Sequence, residues 1–244
     1  MIVAQISDIH AAPGNGNISR LDRALSWLGD VALDALVVSG DLIDEGWTDG
    51  YREISARFDT LCCPVLLLPG NSDDGDAMRG VFARRFGSVE CANAMHFAAD
   101  LSDLLLVGVD ATLSATSGGD VSPHLGWLED VLTDSAPRAS LVFSHHHLFP
   151  SGIAPLDESM AQGAEALRDL LRQCSCKPLA ISCGHVHRPM SGMIAGVPVH
   201  VCGSICPANP LWFGGVSVPT IGEPPMLMVH RLDGCELVSH HVAV

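Results

Sequence analysis

Gly184-His185-Val186-His187 follows Leu179-Ala180-Ile181-Ser182-Cys183, an apolar run with the length of a short buried strand. The two imidazoles therefore lie where a strand ends and a glycine loop begins. Two histidines separated by one residue on an extended loop can bind two different metal ions. Most histidines in a protein, however, are surface residues or core residues whose hydrogen bonds are satisfied. The pair indicates a metal centre only if other strands of the chain also end in metal ligands.

Four further strand-like runs do end in such residues. The runs at 2–6, 35–39, 65–68 and 141–144 are followed by carboxylate, amide or imidazole side chains. In α/β proteins the loops at the carboxyl ends of parallel strands converge above the sheet. The complete candidate set is Asp8, His10, Asp41, Asn71, His145, His185 and His187. Any one of them could instead be an ordinary turn residue or core histidine. Because five separate strands end in such residues, we predict that they form one site.

The chemistry of this donor set indicates which metals it binds. Carboxylate, amide and imidazole donors without a thiolate suit manganese, iron, zinc or cobalt rather than calcium or a sulfur-ligated zinc. Seven side chains exceed what one tetrahedral ion needs. We predict two divalent transition-metal ions sharing a bridging carboxylate, with manganese or iron as the first choice and zinc or cobalt as the alternative.

Apolar residues recur at helical spacing between these runs, which indicates βα units and an α/β fold. Ser19 is predicted to cap the first helix, and Ser122-Pro123 a later one. The apolar face of the third predicted helix extends to Phe86. A further strand is expected at 103–110.

The chain changes character after Pro189. Strands without intervening helices are predicted at 197–202, 226–230 and 236–240, and Asp233-Gly234 between the last two indicates a C-terminal β-hairpin. A Pro/Gly-rich stretch at 207–225 contains Trp212 and Phe213. These aromatic rings either stack on a base or pack against a second subunit, so a homo-oligomer is left open.

Length, charge and cysteine content set the broad class of the protein. The 244 residues are sufficient for one domain spanning 1–244, with a motif-bearing core at 1–190 and the C-terminal strands and loop at 191–244. Twenty-eight acidic residues against 13 basic ones, a net charge of −15, argue against a nucleic-acid polymer as partner. Neither a membrane span nor a basic leader segment is recognisable, so a cytoplasmic protein with nine reduced cysteines is expected.

The motifs Asp-x-His, Gly-Asp, Gly-Asn, His and Gly-His-x-His, in this order, resemble the calcineurin-like metallophosphoesterase superfamily. The segments Gly184 to Pro189, Gly203-Ser204-Ile205-Cys206-Pro207 and Glu223-Pro224-Pro225 are similar to class III cyclic-nucleotide phosphodiesterases and related glycerophosphodiesterases. The resemblance implies a two-sheet sandwich of mixed sheets flanked by helices. It also implies a dinuclear enzyme in which a metal-bridging hydroxide attacks a small phosphodiester.

The resemblance further implies how the ligands divide between the ions. One metal is bound by four side chains and the second by three, with Asp41 bridging. The first set is Asp8, His10, Asp41 and His187, and the second is Asn71, His145 and His185. His145 is chosen over His146 because it matches the first histidine of the family's His-His-Pro motif.

Ser72 is a departure from the family pattern, which usually has a histidine after the Gly-Asn asparagine. A serine hydroxyl is too weak an acid to replace an imidazolium, and losing a general acid commonly costs about 100-fold to 10,000-fold. Asp73 and His146 are the nearest candidates by motif position to take over, so the catalytic candidates are Ser72, Asp73 and His146.

Other functions and other histidines are weighed against this interpretation. A phosphomonoesterase or a pyrophosphate hydrolase would use the same site. A non-catalytic scaffold is disfavoured because all seven ligand positions are filled. His147 is a candidate for orienting a ligand imidazole from behind. The histidines outside the strand ends are expected to be ordinary surface or core residues, namely His96, His124, His200, His230, His240 and His241.

Overall fold

The computed structural model describes residues 1–83, 85, 94–114, 116–134 and 138–244. Phe86 and Cys91 lie outside these described residues. The strands are β1 Ile2–Ile6, β2 Ala35–Ser39, β3 Val65–Leu68, β4 Phe97–Leu101, β5 Leu104–Val109, β6 Ala139–Ser144, β7 Ala180–Cys183, β8 Met190–Ile194, β9 Val197–Val201, β10 Met226–Asp233 and β11 Glu236–Ala243. The α-helices are α1 Asn17–Leu28, α2 Gly50–Phe58, α3 Gly75–Phe82, α4 Leu125–Asp134, α5 Ala154–Asp157 and α6 Ala164–Gln173, and a 3₁₀ turn spans Ser122–His124.

The strands form two mixed sheets. One has the order β11-β10-β1-β2-β3 and the other β4-β5-β6-β7-β9-β8. Strands β1, β2 and β3 run parallel, as do β5, β6, β7 and β9, and the remaining strands pair antiparallel at the sheet edges. The predicted α/β two-sheet architecture and the C-terminal hairpin, β10 with β11, are confirmed.

Apolar side chains fill three layers. Residues of both sheets, such as Val37 and Phe143, form the layer between the sheets. Helices α1, α2 and α3 cover the outer face of the first sheet, while α4 and α6 cover the second. Because the parallel strands are covered on both faces, they read in the sequence as continuous apolar runs.

Polar contacts join the two sheets below their carboxyl ends. The Gln5 side chain on β1 donates to Ser39 Oγ at 2.8 Å and to the Cys183 carbonyl on β7 at 3.1 Å. Gln5 also accepts a hydrogen bond from Ser182 Oγ at 2.5 Å. Since all these groups are buried, their mutual hydrogen bonds fix how the strand ends of one sheet face those of the other.

Several local predictions were incomplete or wrong. Strands β4 and β8 were not predicted, because both are edge strands with alternating or partial exposure and β8 contains Ser191 and Gly192. Ser19 is not a cap, since α1 begins at Asn17 after Gly16, whose φ is 79°. Ser122 is the first residue of the 3₁₀ turn, whose N-cap position is occupied by Val121. Within the part of the chain that the structure describes, no helix has the length and apolar character needed to cross a membrane.

Candidate metal centre

Most of the predicted ligands share an unusual backbone conformation at the strand ends. Five of the seven predicted ligands have left-handed backbone conformations, with φ of 55° at Asp8, 47° at His10, 53° at Asp41, 72° at His185 and 56° at His187. Such conformations are uncommon for residues other than glycine, although Asp and His adopt them more readily than most. They cost about 1–3 kcal/mol each and cluster at functional sites, where the surrounding structure enforces them.

Two glycines allow the loops after β2 and β3 to approach each other. A Cβ atom on Gly70 would lie 2.2 Å from Asp41 Oδ1 and 2.5 Å from the Asp41 backbone nitrogen. A Cβ atom on Gly40 would lie 2.6 Å from His145 Nδ1 and 2.7 Å from the Gly70 nitrogen. Both positions therefore require glycine for steric reasons, and Gly40 also has a φ of 97°.

The four side chains predicted for the first metal lie together. His10 Nε2 is 3.1 Å from His187 Nε2 and 3.2 Å from Asp41 Oδ2. His187 Nε2 is 3.4 Å from Asp8 Oδ1. The carboxylates are fully buried and the imidazoles partly exposed, so the group is open to solvent on the imidazole side.

The three side chains predicted for the second metal lie beside the first group. His145 Nε2 is 3.3 Å from Asn71 Oδ1 and 3.3 Å from His185 Nδ1. The same nitrogen is 3.4 Å from Asp41 Oδ2, the oxygen that also faces His10. Asp41 therefore joins the two groups, which is the arrangement a bridging carboxylate requires.

Hydrogen bonds fix which nitrogen of each imidazole faces the site. His145 donates from Nδ1 to the Ser39 carbonyl at 2.8 Å, which leaves the lone pair on Nε2 for the second group. Ser159 Oγ donates to the Leu156 carbonyl at 3.0 Å and lies 2.7 Å from His185 Nε2. The hydroxyl has one hydrogen, so it accepts from His185 Nε2–H and leaves the Nδ1 lone pair facing His145.

These distances match the size of a transition-metal ion. Ligand atoms held at about 2.1 Å from one ion lie about 3.0–3.4 Å apart in octahedral or tetrahedral geometry. The separations between adjacent donor atoms here are 3.1–3.4 Å. Burial alone would lower the pKa of His145, but Asp41 overrides it and raises that pKa to about 9. The negative potential that this shift reveals favours cations, so the donor set fits the predicted metals.

Ser159 was not predicted from the sequence, because a serine between two helices belongs to no recognisable motif. Ser159→Ala removes the acceptor that orients His185, and outer partners of ligand histidines typically contribute 10-fold to 100-fold in metal affinity. We expect manganese affinity, measured by calorimetry, to fall about 10-fold or more. Ser159→Thr should retain most of the affinity, and Ser26→Ala on the exposed side of α1 is the control. Unchanged affinity in Ser159→Ala would show that His185 does not need this contact.

The catalytic candidates lie close to the ligands but have other hydrogen-bond partners. Ser72 donates from Oγ to the Ile43 carbonyl at 2.8 Å, and its backbone nitrogen donates to Asp41 Oδ1 at 2.8 Å. Asp73 accepts from the peptide nitrogens of Leu42 and Gly70 at 3.0 and 2.9 Å. Burial and the Asp41 charge raise the pKa of Asp73 to about 6. The acid role suggested for Asp73 by its motif position stays a prediction.

His146 belongs to the same cluster as the second ligand group. One nitrogen of His146 lies within 4.8 Å of ligand atoms of His145 and His185. His146 Nε2 is 3.1 Å from the Ser117 carbonyl and donates to it, while Nδ1 is buried without a partner among the described residues. Burial and His145 lower the pKa of His146 to about 2. His146 thus carries its hydrogen on Nε2, which is bonded to the Ser117 carbonyl.

Two further residues suggested by the sequence pack around the centre. The ring of His147 stacks on His185, with centroids 5.5 Å apart and an interplanar angle of 17°. Arg188 donates to the Asn209 carbonyl at 2.5 Å and pairs with Glu223 at 2.9 Å. His147 therefore supports a ligand ring by packing, and Arg188 ties the 207–225 loop to the loop that carries His187.

Two mixed sheets whose parallel strands end in these donor groups define a phosphoesterase fold with a dinuclear metal centre. The chain belongs to the calcineurin-like phosphoesterase family, whose model matches residues 1–189. It is accordingly a metal-dependent phosphoric ester hydrolase.

Relatives and solved structures agree with this assignment. Along an alignment of 254 positions the chain is 28% identical to the glycerophosphodiester phosphodiesterase GpdQ of Enterobacter lignolyticus, with 98% of this chain and 90% of that protein covered. It is 30% identical to a probable cyclic nucleotide phosphodiesterase of Rhodococcus erythropolis over 71% of this chain and 58% of that protein. The fold is similar to that of a dimetal phosphatase from Danio rerio, with a TM-score of 0.79, 15% identity and coverage of 100% and 96%.

Proposed function

We propose that this protein is a phosphodiesterase that hydrolyses a small phosphodiester at the centre around Asp41. The observation that carries the proposal is the position of Asp41 Oδ2, 3.2 Å from His10 Nε2 and 3.4 Å from His145 Nε2. A single carboxylate oxygen thus faces an imidazole of each ligand group, as a two-metal hydrolase requires. The relatives named as phosphodiesterases support a diester as the substrate.

In this proposal each side chain has a defined role. Asp8, His10 and His187 hold the first ion with Asp41, while Asn71, His145 and His185 hold the second. When bound, two such ions act as Lewis acids toward water and the phosphoryl oxygens. We propose manganese or iron as the native pair, because the donors are oxygen and imidazole nitrogen. The substrate is a cyclic nucleotide or a glycerophosphodiester, the two classes named among the relatives.

Removing ligands of the second group tests the proposal. Asn71→Ala and His185→Ala should each abolish hydrolysis of bis-p-nitrophenyl phosphate under manganese, because the second ion loses one of its few protein ligands. Release of p-nitrophenol is followed by absorbance. His240→Ala is the matched control, since His240 is exposed on β11. Turnover retained in both site variants, with the control active, would contradict the assignment of the second ligand group.

A panel of substrates then separates the candidate activities. Cyclic nucleotides, glycerophosphodiesters, monoesters and pyrophosphates are compared by kcat/KM on the manganese-loaded protein. A preference for monoesters or pyrophosphates over every diester would replace the phosphodiesterase proposal by another activity of the same centre.

A further inference from the structure

A cavity of about 500 Å³ opens beside the second ligand group. Its wall includes Asn71, whose Oδ1 lies 3.3 Å from His145 Nε2, so the cavity borders the second ligand group at this residue. The opposite parts of the wall are the start of α3, the segment after β5 and His124. A cavity of this size accommodates a small organic group. It is therefore the place for the part of a substrate that extends from the phosphoryl group.

Hydrogen bonds determine which ring nitrogen of His124 carries the hydrogen. The Asp110 backbone nitrogen donates to His96 Nδ1 at 2.9 Å. A neutral imidazole that accepts at Nδ1 carries its hydrogen on Nε2. His96 Nε2 lies 3.1 Å from His124 Nδ1 and must donate to it. His124 therefore accepts at Nδ1 and carries its own hydrogen on Nε2.

The surroundings of His96 hold it in this tautomer. Burial, and then the proximity of His124, lower the pKa of His96 to about 4, so His96 is neutral near pH 7. His96 also stacks on Trp127, with centroids 4.4 Å apart and an interplanar angle of 13°. His124 thus has a hydrogen-bond donor at Nε2.

The hydrogen on His124 Nε2 has no partner among the residues that the structure describes. His124 lies in the wall of a cavity that is also lined by Asp74, Asp76 and Arg79. Carboxylates accept hydrogen bonds from hydroxyl groups, and a guanidinium donates them. The wall therefore suits an alcohol with hydroxyl groups.

We propose that this cavity binds the alcohol portion of the phosphodiester and that His124 Nε2 donates a hydrogen bond to one of its oxygens. The assignment rests on the proposed phosphodiesterase function and specifies the substrate as the diester of a hydroxylated alcohol such as glycerol. His124 contacts the substrate in this scheme, whereas His96 is a positioning residue.

Two substitutions separate the donor from the fold around it. His124→Asn keeps an acceptor near the place of Nδ1 for His96 but has no group at the place of Nε2. His124→Gln extends its amide to the place of Nε2 and can donate there. A lost hydrogen bond to a neutral group corresponds to about 3-fold to 10-fold in affinity.

The variants are compared on a glycerophosphodiester, which carries hydroxyl groups, and on bis-p-nitrophenyl phosphate, which carries none. We expect His124→Asn to lower kcat/KM about 3-fold to 10-fold on the first substrate only, and His124→Gln to restore part of the loss. Calorimetry on the manganese-loaded proteins provides a second measurement. The affinity of His124→Asn for glycerol 3-phosphate should fall by the same factor while its affinity for inorganic phosphate is unchanged.

Equal losses on both substrates, or no loss on either, would overturn the role of His124. Equal affinity changes for glycerol 3-phosphate and inorganic phosphate would overturn it as well. A wild-type protein that hydrolyses neither diester would instead refute the proposed function, which distinguishes the two failures.

Discussion

Asp41→Asn is expected to lower kcat/KM for bis-p-nitrophenyl phosphate by more than about 1,000-fold, because charge stabilisation by bound ions is worth several kcal/mol. The substitution preserves the shape of the side chain and removes its charge. Since Asp41 Oδ2 faces both His10 and His145, the change weakens both ligand groups at once. Burial alone would raise the pKa of Asp41, but His145 and His10 hold it well below its usual range, so the carboxylate is charged near pH 7.

Metal content measured by elemental analysis accompanies the kinetics. Wild-type protein reconstituted with manganese should hold two ions per chain, and Asp41→Asn should hold fewer than about one. Asp103→Asn, at the exposed turn between β4 and β5, is the control and should match wild type. Full metal content with full activity in Asp41→Asn would contradict a shared carboxylate.

Gly70→Ala is expected to have a large effect on stability as well as on metal binding. The added Cβ would lie 2.5 Å from the Asp41 backbone nitrogen, and rotating a side chain does not relieve that contact. The loops after β2 and β3 must separate, which we expect to lower the free energy of unfolding by about 3 kcal/mol. Urea denaturation with linear extrapolation measures the change.

A second glycine provides the matched control for Gly70. Gly126 lies in α4, where an added Cβ meets nothing within 4 Å. Gly126→Ala should leave stability unchanged or raise it by up to about 1 kcal/mol, because alanine favours helix over glycine. If both variants unfold at the urea concentration of wild type, the close approach of Gly70 to Asp41 is not required.

The α/β class followed from periodicity, because buried parallel strands appear as uninterrupted apolar runs between helical patterns. Edge strands β4 and β8 were not predicted from periodicity, because their partial exposure leaves no continuous apolar run in the sequence. The start of α1 was also misplaced, because Gly16 supplies the turn through its backbone rather than through a side-chain cap.

The catalytic candidates Ser72, Asp73 and His146 stay predictions. Each follows a predicted ligand closely in the sequence, and each also contacts a backbone group, at Ile43, Leu42 and Ser117 respectively. Conversely, His124 lies 53 positions beyond Asn71 and was expected to be an ordinary residue, but both line one cavity. The only sequence signal that the segment after Asp110 lies at this edge of the sheet was the predicted strand that ends there.

The sequence by itself determined which residue types end the strands, and therefore the donor chemistry of the centre. Strand direction brings such ends to one edge within each sheet, so seven ligand candidates were visible without a structure. Only the tertiary structure decided their geometry. Gln5 and Ser39 fix one sheet against the other, and the left-handed backbone at residues such as Asp8 and His187 turns each side chain inward. Those contacts join residues far apart in the chain, which is why local patterns do not reveal them.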